Sequence, residues 1–253
     1  MNLPVGDWRQ RWRTILDRTC RVATSSGLQE LLNSLTVPVA PRTLAFVNAH
    51  AMNLLTTSTD FYHAIRSSDV LLRDGSGMAT LFRMISQSAG LNLNGTDLIP
   101  KIIAQFDGKT IALLGSRNPY LRNAAAVISQ QLAPHSRLVT AHGFLEVEGY
   151  LSLVVQSRPN LIVLGMGMPK QERVAVVLRA ALPFPCLIVC GGAIIDFVGA
   201  KTPRAPPLIR QIGLEWLYRL ALEPRRLFSR YVIGNPRFLL RALKFVLATS
   251  KEA

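Results

Sequence analysis

Asp74 stands at the exit of a short apolar run, in the string Leu71-Leu72-Arg73-Asp74-Gly75-Ser76-Gly77. A carboxylate placed there can take a proton from a substrate hydroxyl, as general base catalysis requires. The same residue type also caps helices, here one starting near Gly75, and the string leaves both roles open. Gly95-Thr96-Asp97 has the same two readings: a ligand loop through Thr96 and Asp97, or a cap for a helix over 98–105. Asn48 follows another apolar run and offers an amide to a base or a sugar, while His50 and Asn53 behind it suit a helix face. Gly165-Met166-Gly167-Met168-Pro169-Lys170-Gln171-Glu172 leaves a further run and opens a helix. Glycines such as Gly165 and Gly167 let backbone approach a ligand, and a helix start offers free N–H groups to phosphate. A tight strand-to-helix turn uses the same residues; Pro169 and the Gln171-Glu172 pair make the string more distinctive. Gly191-Gly192 forms a similar polar exit.

Other chemistries find no support. The chain has no Asp-x-Asp to present carboxylates to a metal–diphosphate, no His-x-x-x-His, and no Gly-x-x-x-x-Gly-Lys-Ser/Thr. No metal is therefore expected, and if a diphosphate leaves, positive charge must come from side chains. Arginines of the tail can supply it, because guanidinium groups grip phosphate oxygens bidentately. A solvated basic face, or contact with lipid headgroups alone, uses the same residues.

The positioning elements follow from the apolar pattern. Runs at 43–47, 70–72, 110–114, 138–141, 161–164 and 186–189 have the length of buried strands and end in turn-like residues. Helical segments lie between them. One covers 119–132, with Asn118 as cap and Pro119 at the first helical position; others cover 145–156 and 170–181. This alternation predicts an α/β, Rossmann-like fold with a mainly parallel sheet and flanking helices. Ligands of such sheets bind beyond the carboxyl ends of the strands, where Asn48, Asp74, Gly165-Gly167 and Gly191-Gly192 fall.

After Gly199 the texture changes. Pro203, Pro206 and Pro207 interrupt the pattern, and helical stretches over 213–222, 225–232 and 237–248 follow. The chain thus divides into an α/β catalytic core over 1–200 and a basic amphipathic helical appendage over 201–253. The appendage holds eleven basic and three acidic residues, +8 of the formal net charge of +14. Trp216, Tyr218, Leu220, Leu227, Phe228, Tyr231, Phe238 and Phe245 are interleaved with its arginines. A sequence pI of about 10.7 implies an acidic partner. Apolar and basic residues side by side suit an anionic membrane surface. No known nucleic-acid-binding motif is present, so nucleic acid is not an expected partner.

With 253 residues, 49% of them hydrophobic, the chain can bury a substantial core. Cys20, Cys186 and Cys190 form no paired framework, which points to a reducing compartment; the last two bracket an apolar run and read as buried. The start lacks the apolar core of a secretion signal, and no run approaches the roughly 18 apolar residues of a spanning helix. A cytoplasmic protein, peripheral on the membrane, is the expectation.

Taken in order, these strings resemble the WecG/TagA/CpsF glycosyltransferase family. The matching residues are Asn48-Ala49, Asp74-Gly75, Gly95-Thr96-Asp97-Leu98, the run from Gly165 to Glu172, Gly191-Gly192-Ala193, Asp196-Phe197, Gly199 and Arg204-Ala205-Pro206. They continue with Gly213-Leu214-Glu215-Trp216-Leu217-Tyr218-Arg219-Leu220, Glu223-Pro224-Arg225-Arg226-Leu227, Arg230-Tyr231 and Gly234-Asn235-Pro236-Arg237-Phe238. The resemblance implies an inverting, metal-independent transfer of a sugar from a nucleotide donor, UDP-linked by expectation. The acceptor it implies is an undecaprenyl-diphosphate-linked saccharide, and the products are capsules, exopolysaccharides or other cell-surface glycans on the cytoplasmic face of a bacterial inner membrane. It puts the base on Asp74, the donor contacts on Asn48, the glycine-rich turn and Gln171, and the appendage cations on Arg219, Arg226 and Arg230. Thr96, Asp97, Glu172, Gly191 and Gly192 complete the expected substrate-binding set. Phe46, Arg73 and Asn92 depart from the family's usual Thr, Pro and Arg, which bears on the donor sugar. Residues 1–42 match less well, and Trp8, Trp12, Ile15 and Leu16 suit either a helix packed on the core or a second membrane contact. A non-catalytic nucleotide-sugar sensor and a basic nucleic-acid binder are the rival functions. A homo-oligomer is a further partner class.

Overall fold

The computed structural model describes residues 7–249; Lys251 and Glu252, counted in the charge of the tail, lie outside the described residues. Seven strands among them form one sheet: β1 (Thr19–Cys20), β2 (Arg42–Val47), β3 (Val70–Arg73), β4 (Thr110–Gly115), β5 (Arg137–Ala141), β6 (Leu161–Gly165) and β7 (Leu187–Cys190). Their order is β1-β3-β2-β7-β6-β4-β5, and every neighbouring pair is parallel. Six strands fall on the apolar runs of the sequence. β1 does not: two residues at the sheet edge carry too little pattern to be read.

Parallel strands covered on both faces read as unbroken apolar runs, yet alternate residues still point to opposite sides. Ala45, Val47, Leu71, Leu114, Ile162 and Ile188 enter one core layer. Leu44, Phe46, Leu72, Leu113, Val163 and Val189 enter the other. The first layer is covered by α1 (Trp8–Arg18), α3 (Ala49–Thr57), α4 (Thr59–Arg66), α5 (Gly75–Met84), α8 (Val147–Ser157), α9 (Lys170–Ala181) and α14 (Gly234–Thr249). The second is covered by α2 (Ser25–Thr36), α6 (Gly95–Gln105), α7 (Tyr120–Val127) and α10 (Ile194–Val198). Three short helices complete the tail: α11 (Pro207–Gln211), α12 (Glu215–Leu222) and α13 (Pro224–Phe228).

The helix expected over 119–132 is corrected at its start. The Asn118-Pro119 peptide is cis and Pro119 itself occupies the cap, so Asn118 does not cap α7. The helix continues past Val127 as a π-helical turn over Ile128–Leu132.

The first described helix, α1, is packed on the core. Trp12 is fully buried, stacks on Phe238 of α14 with 5.7 Å between ring centroids, and donates its indole N–H to the Met52 carbonyl at 2.9 Å. Arg11 is buried beside it and donates to the Leu55 carbonyl. α14 contributes Phe238, Ala242 and Phe245 to the same core layer. The last helix of the tail is therefore packed into the layer that covers the sheet. Leu227 and Tyr231, interleaved with the arginines in the sequence, do not face a membrane: they are buried as well. Phe228, from the same interleaved set, is exposed, as are Leu208, Ile212 and Leu217 among others, and along α14 Leu239, Leu240, Leu243 and Leu247.

Candidate active site

The sheet register assembles the site. β2 and β3 pair Val47 with Arg73, so Asn48 and Asp74 leave the sheet side by side, and the Asp74 N–H donates to the Val47 carbonyl at 2.8 Å. β6 and β7 pair Leu164 with Cys190, so Gly165 and Gly191 leave level with each other. Across these exits lie α12, α13 and the π-helical turn Ser229–Ile233, carrying Arg219, Arg226 and Arg230. Ser76 Oγ donates to the Gly213 carbonyl at 3.3 Å, tying the tail to the start of α5.

Two cavities open between the strand ends and the tail. The larger, about 330 Å³, is lined by Asp74, His50, Glu215, Trp216, Tyr231 and Phe238 among others. The smaller, about 160 Å³, is lined by the Gly165–Gly167 and Gly191–Gly192 turns, Phe197 and Arg226 among others. Asn48, Asp74, Thr96, Arg219 and Arg230 line both. Asp74 thus sits at the junction of two chambers.

Its electrostatics suit a proton acceptor. Asp74 occupies the cap position of α5 but makes no side-chain cap hydrogen bond. Its partner is instead Asn48, whose amide N–H donates to it at 3.4 Å. Asn48 is oriented by its own capping bond, accepting from the Ala51 N–H at 3.0 Å. Burial pushes the Asp74 carboxyl above the usual carboxylate range, against the pull of Asn48 and then of Arg230, Arg219 and Arg73. His50 is driven the other way, down to about 4, by burial and by Arg230, and is neutral at physiological pH.

The arginines are unequal. Arg230 is half-buried; burial lowers its guanidinium, and the charges of Arg219 and Arg226 press in the same direction. The Nε atoms of Arg219 and Arg230 are buried without a hydrogen-bond partner among the described residues. The face of Phe197 lies 4.9 Å from the Arg219 guanidinium carbon. The Nε atoms of Arg204 and Arg210 are in the same state; a buried unsatisfied donor costs about 1–3 kcal/mol, and more on a charged group, and Arg219 and Arg230 are the two of these that line both cavities. Arg226 differs: it is held bidentately by Glu223, which also accepts from Thr202 at 3.2 Å.

The glycine-rich turn is used differently from the expectation. Gln171 Oε1 accepts from the Gly167 N–H at 3.2 Å and from the Gly192 N–H at 2.8 Å, and the Gly191 N–H is spent on the Leu164 carbonyl. These N–H groups are engaged and do not point free toward a phosphate. Gln171 is 1% exposed and staples the two turns together; its Nε2 donates to Glu172 Oε1 at 2.8 Å. Glu172 is 2% exposed, lines neither cavity, and is pushed up to about 7 by burial. Gly167 and Gly192 have φ angles of 79° and 61°, in the left-handed region that favours glycine.

Thr96 lines both cavities, whereas Asp97 lines neither. Asp97 sits in the first turn of α6, whose cap is Asn94, and pairs with Arg204. Sequence reasoning missed Glu215, Trp216 and Asn92 as cavity residues. The first two lie in a string that matches the family, but nothing local distinguishes a cavity-facing residue on a short helix. Arg73 and Asn92, two of the departures from the family pattern, touch: an Arg73 N–H donates to Asn92 Oδ1 at 3.3 Å, and others go to the Ala89 and Gly90 carbonyls.

No group of three or more His, Cys, Asp or Glu side chains among the described residues could hold a metal ion. No helix among them is long and apolar enough to cross a membrane.

The fold is a Rossmann-like α/β one, and the family match makes the protein an enzyme of the glycosyltransferase class. The chain belongs to the WecG/TagA/CpsF glycosyl transferase family, whose model matches residues 14–252. Relatives from Staphylococcus aureus strains NCTC 8325 / PS 47 and MRSA252 are each named N-acetylglucosaminyldiphosphoundecaprenol N-acetyl-beta-D-mannosaminyltransferase. Each is 27% identical to this chain over 184 residues, which cover 71% of this chain and 72% of the relative.

Proposed function

We propose that this protein moves a hexosyl or N-acetylhexosaminyl unit from a UDP-linked donor to a hydroxyl of an undecaprenyl-diphosphate-linked saccharide, with inversion, in the making of exopolysaccharide, capsule or another cell-surface glycan. The observation that carries the proposal is the junction at Asp74. A carboxylate with a raised pKa faces Arg219 and Arg230, whose buried Nε donors lack partners among the described residues. Asp74 takes the proton of the acceptor hydroxyl as that oxygen bonds to the anomeric carbon. The bond from that carbon to the diphosphate breaks, and Arg219 and Arg230 stabilise the nucleoside diphosphate that leaves. Arg226, at the rim of the smaller chamber, contributes charge while Glu223 holds it. Asn48 orients the base, and Thr96 faces both substrates. Gln171, Glu172 and the Gly165–Gly167 and Gly191–Gly192 turns shape the donor side, and Asp97 holds Arg204 beside it.

The acceptor is confined to a bilayer, so the enzyme works on the cytoplasmic face of a bacterial inner membrane. Leu240, Leu243 and Leu247 are exposed on α14 with Arg237 and Lys244, which supports docking on an anionic surface. A screen of nucleotide sugars with a short-chain polyprenyl-diphosphate acceptor, read as nucleoside diphosphate release, tests the proposal. Donor binding with no turnover on any acceptor would favour a non-catalytic sensor.

A further inference from the structure

The two chambers that meet at Asp74 differ in chemistry. The smaller one is rimmed by glycine turns and by Arg219, Arg226 and Arg230. The larger one is also lined by arginines, Arg210 together with the shared Arg219 and Arg230, but it adds amides from Asn92 and Asn235, the indole of Trp216, and a second carboxylate, Glu215. Diphosphate needs cations; a saccharide needs an aromatic platform and directional acceptors for its hydroxyls. Cations line both chambers, so the division rests on Trp216, the Asn92 and Asn235 amides and Glu215, which line the larger alone: the sugar lies there, and the nucleoside diphosphate in the smaller, reaching Arg219 and Arg230 at the junction.

The proposed transfer gives Glu215 neither the proton nor the diphosphate. It sits in the first turn of α12, half-buried, with its side chain on the larger chamber. Arg204 and Arg219 act on it through their charges, as do Asp74 and Asp97. No ion pair within 4 Å holds it among the described residues, in contrast to Asp97, Asp196 and Glu223, each of which is clamped by an arginine or lysine. A partly desolvated carboxylate with cations nearby and no such clamp has its acceptor oxygens uncommitted. They share a chamber with the base.

We propose that Glu215 is a specificity-determining residue that reads the acceptor saccharide, its carboxylate accepting hydrogen bonds from ring hydroxyls that flank the hydroxyl delivered to Asp74. The inference rests on the transferase reading. Trp216, the next residue, gives the same sugar a face to stack on, and it is braced by Tyr231 at 6.0 Å between ring centroids. Asp74 deprotonates; Glu215 selects which sugar, in which orientation, is deprotonated.

The test uses the full chain, the Glu215→Ala and Glu215→Gln variants, and a series of short-chain polyprenyl-diphosphate acceptors that each lack one hydroxyl. UDP binding, measured by calorimetry, reports on the donor side independently of turnover. Loss of hydrogen bonds to a charged group corresponds to about 10- to 100-fold in affinity. Glu215→Ala should raise the acceptor KM by about that factor, leave kcat within a few-fold, and leave UDP affinity unchanged. Glu215→Gln, which keeps one acceptor oxygen, should fall between. The unmodified protein should lose a similar factor with one particular deoxy acceptor, and Glu215→Ala should lose nothing further with it. If Glu215→Ala penalises every acceptor equally, deoxy ones included, the residue does not read the sugar and the inference is overturned. It is overturned equally if UDP affinity falls while acceptor KM holds, because Glu215 then only positions Arg219. Absence of transfer by the unmodified protein with any donor would instead overturn the transferase reading, and this inference with it.

Discussion

Replacing Asp74 by Asn should move activity and stability in opposite directions. The amide is nearly isosteric and can still meet Asn48, so the pocket keeps its shape, but it cannot accept the proton of the acceptor. General base catalysis contributes about 100- to 10,000-fold, or roughly 2.7–5.5 kcal/mol of barrier, and turnover should fall within that range while UDP affinity holds. Stability should not fall. The Asp74 carboxyl makes no capping bond and is raised by burial. A raised folded-state pKa means that ionisation is opposed by the fold. The cost is absent below the unfolded-state pKa, grows as pH rises through the folded-state value, and is complete above it. Asp74→Asn removes that cost, so at neutral pH the variant should melt at the same temperature or higher. In the parent enzyme kcat/KM should have an acid limb above the ordinary carboxylate range, and the variant should lack it. The assays are calorimetric melting, UDP titration and nucleoside diphosphate release against pH. A variant that turns over normally would refute the base assignment; one that melts well below the parent would show that Asp74 serves the helix after all.

Glu172→Gln can keep the bond to Gln171 without ever ionising. Because burial lifts Glu172 from 4.5 to about 7, the parent should lose stability as pH rises through that interval, and melting curves of the variant should lack that slope. Trp12→Ala should cost about 3–5 kcal/mol, seen as a lower denaturant midpoint, since it empties a fully buried site between α3 and α14. Removal of residues from 201 onward would uncover the same surface, so the truncated chain should bind hydrophobic dye and aggregate, and should have lost transfer even to a soluble acceptor. Turnover should persist in chelator, because the arginines carry the electrostatic work; loss restored by magnesium or manganese would reveal a metal requirement.

The sheet was legible because buried parallel strands announce themselves as short apolar runs with polar exits, and six of them did so at 43–47, 70–72, 110–114, 138–141, 161–164 and 186–189. Asp74, Asn48 and the glycine turns were legible for the same reason, since a strand end fixes where its next residue points. What could not be read was which hydrogen bonds those residues would choose. Gln171 has a ligand-like composition of donors and acceptors, but two N–H groups of its own loops reach it first. Asp97 and Glu215 look alike in sequence, each a carboxylate in a first helical turn, and only the fold gives one an arginine and leaves the other open to a cavity. Trp12 could be placed on a membrane or in a core with equal right until Phe238, 226 positions later in the chain, supplied the partner.

That pairing changes what the basic tail is. Its charge invites the idea of a detachable anchor, yet α14 is stitched to α3 through Trp12 and through both ends of the Asn53 amide. Trp12 bridges Met52 and Phe238, Asn53 donates to the Gly234 carbonyl at 2.7 Å, and Arg241 donates to Asn53 Oδ1 at 2.6 Å. α3 begins just after Asn48, the residue that orients Asp74. On its other side α14 follows directly from the turn that carries Arg230. The helix whose exposed leucines suit a bilayer is thus linked to both Asp74 and Arg230, through contacts that are short and specific. Arg219 and Arg230 repel each other across chambers whose lining carboxylates, among the described residues, are Asp74, Glu215 and the clamped Asp196. Such an arrangement holds only because packing elsewhere enforces it. The residues that do so are distant in sequence: Trp12 of the first helix described, Asn53 of α3, and Phe238 and Arg241 of the last.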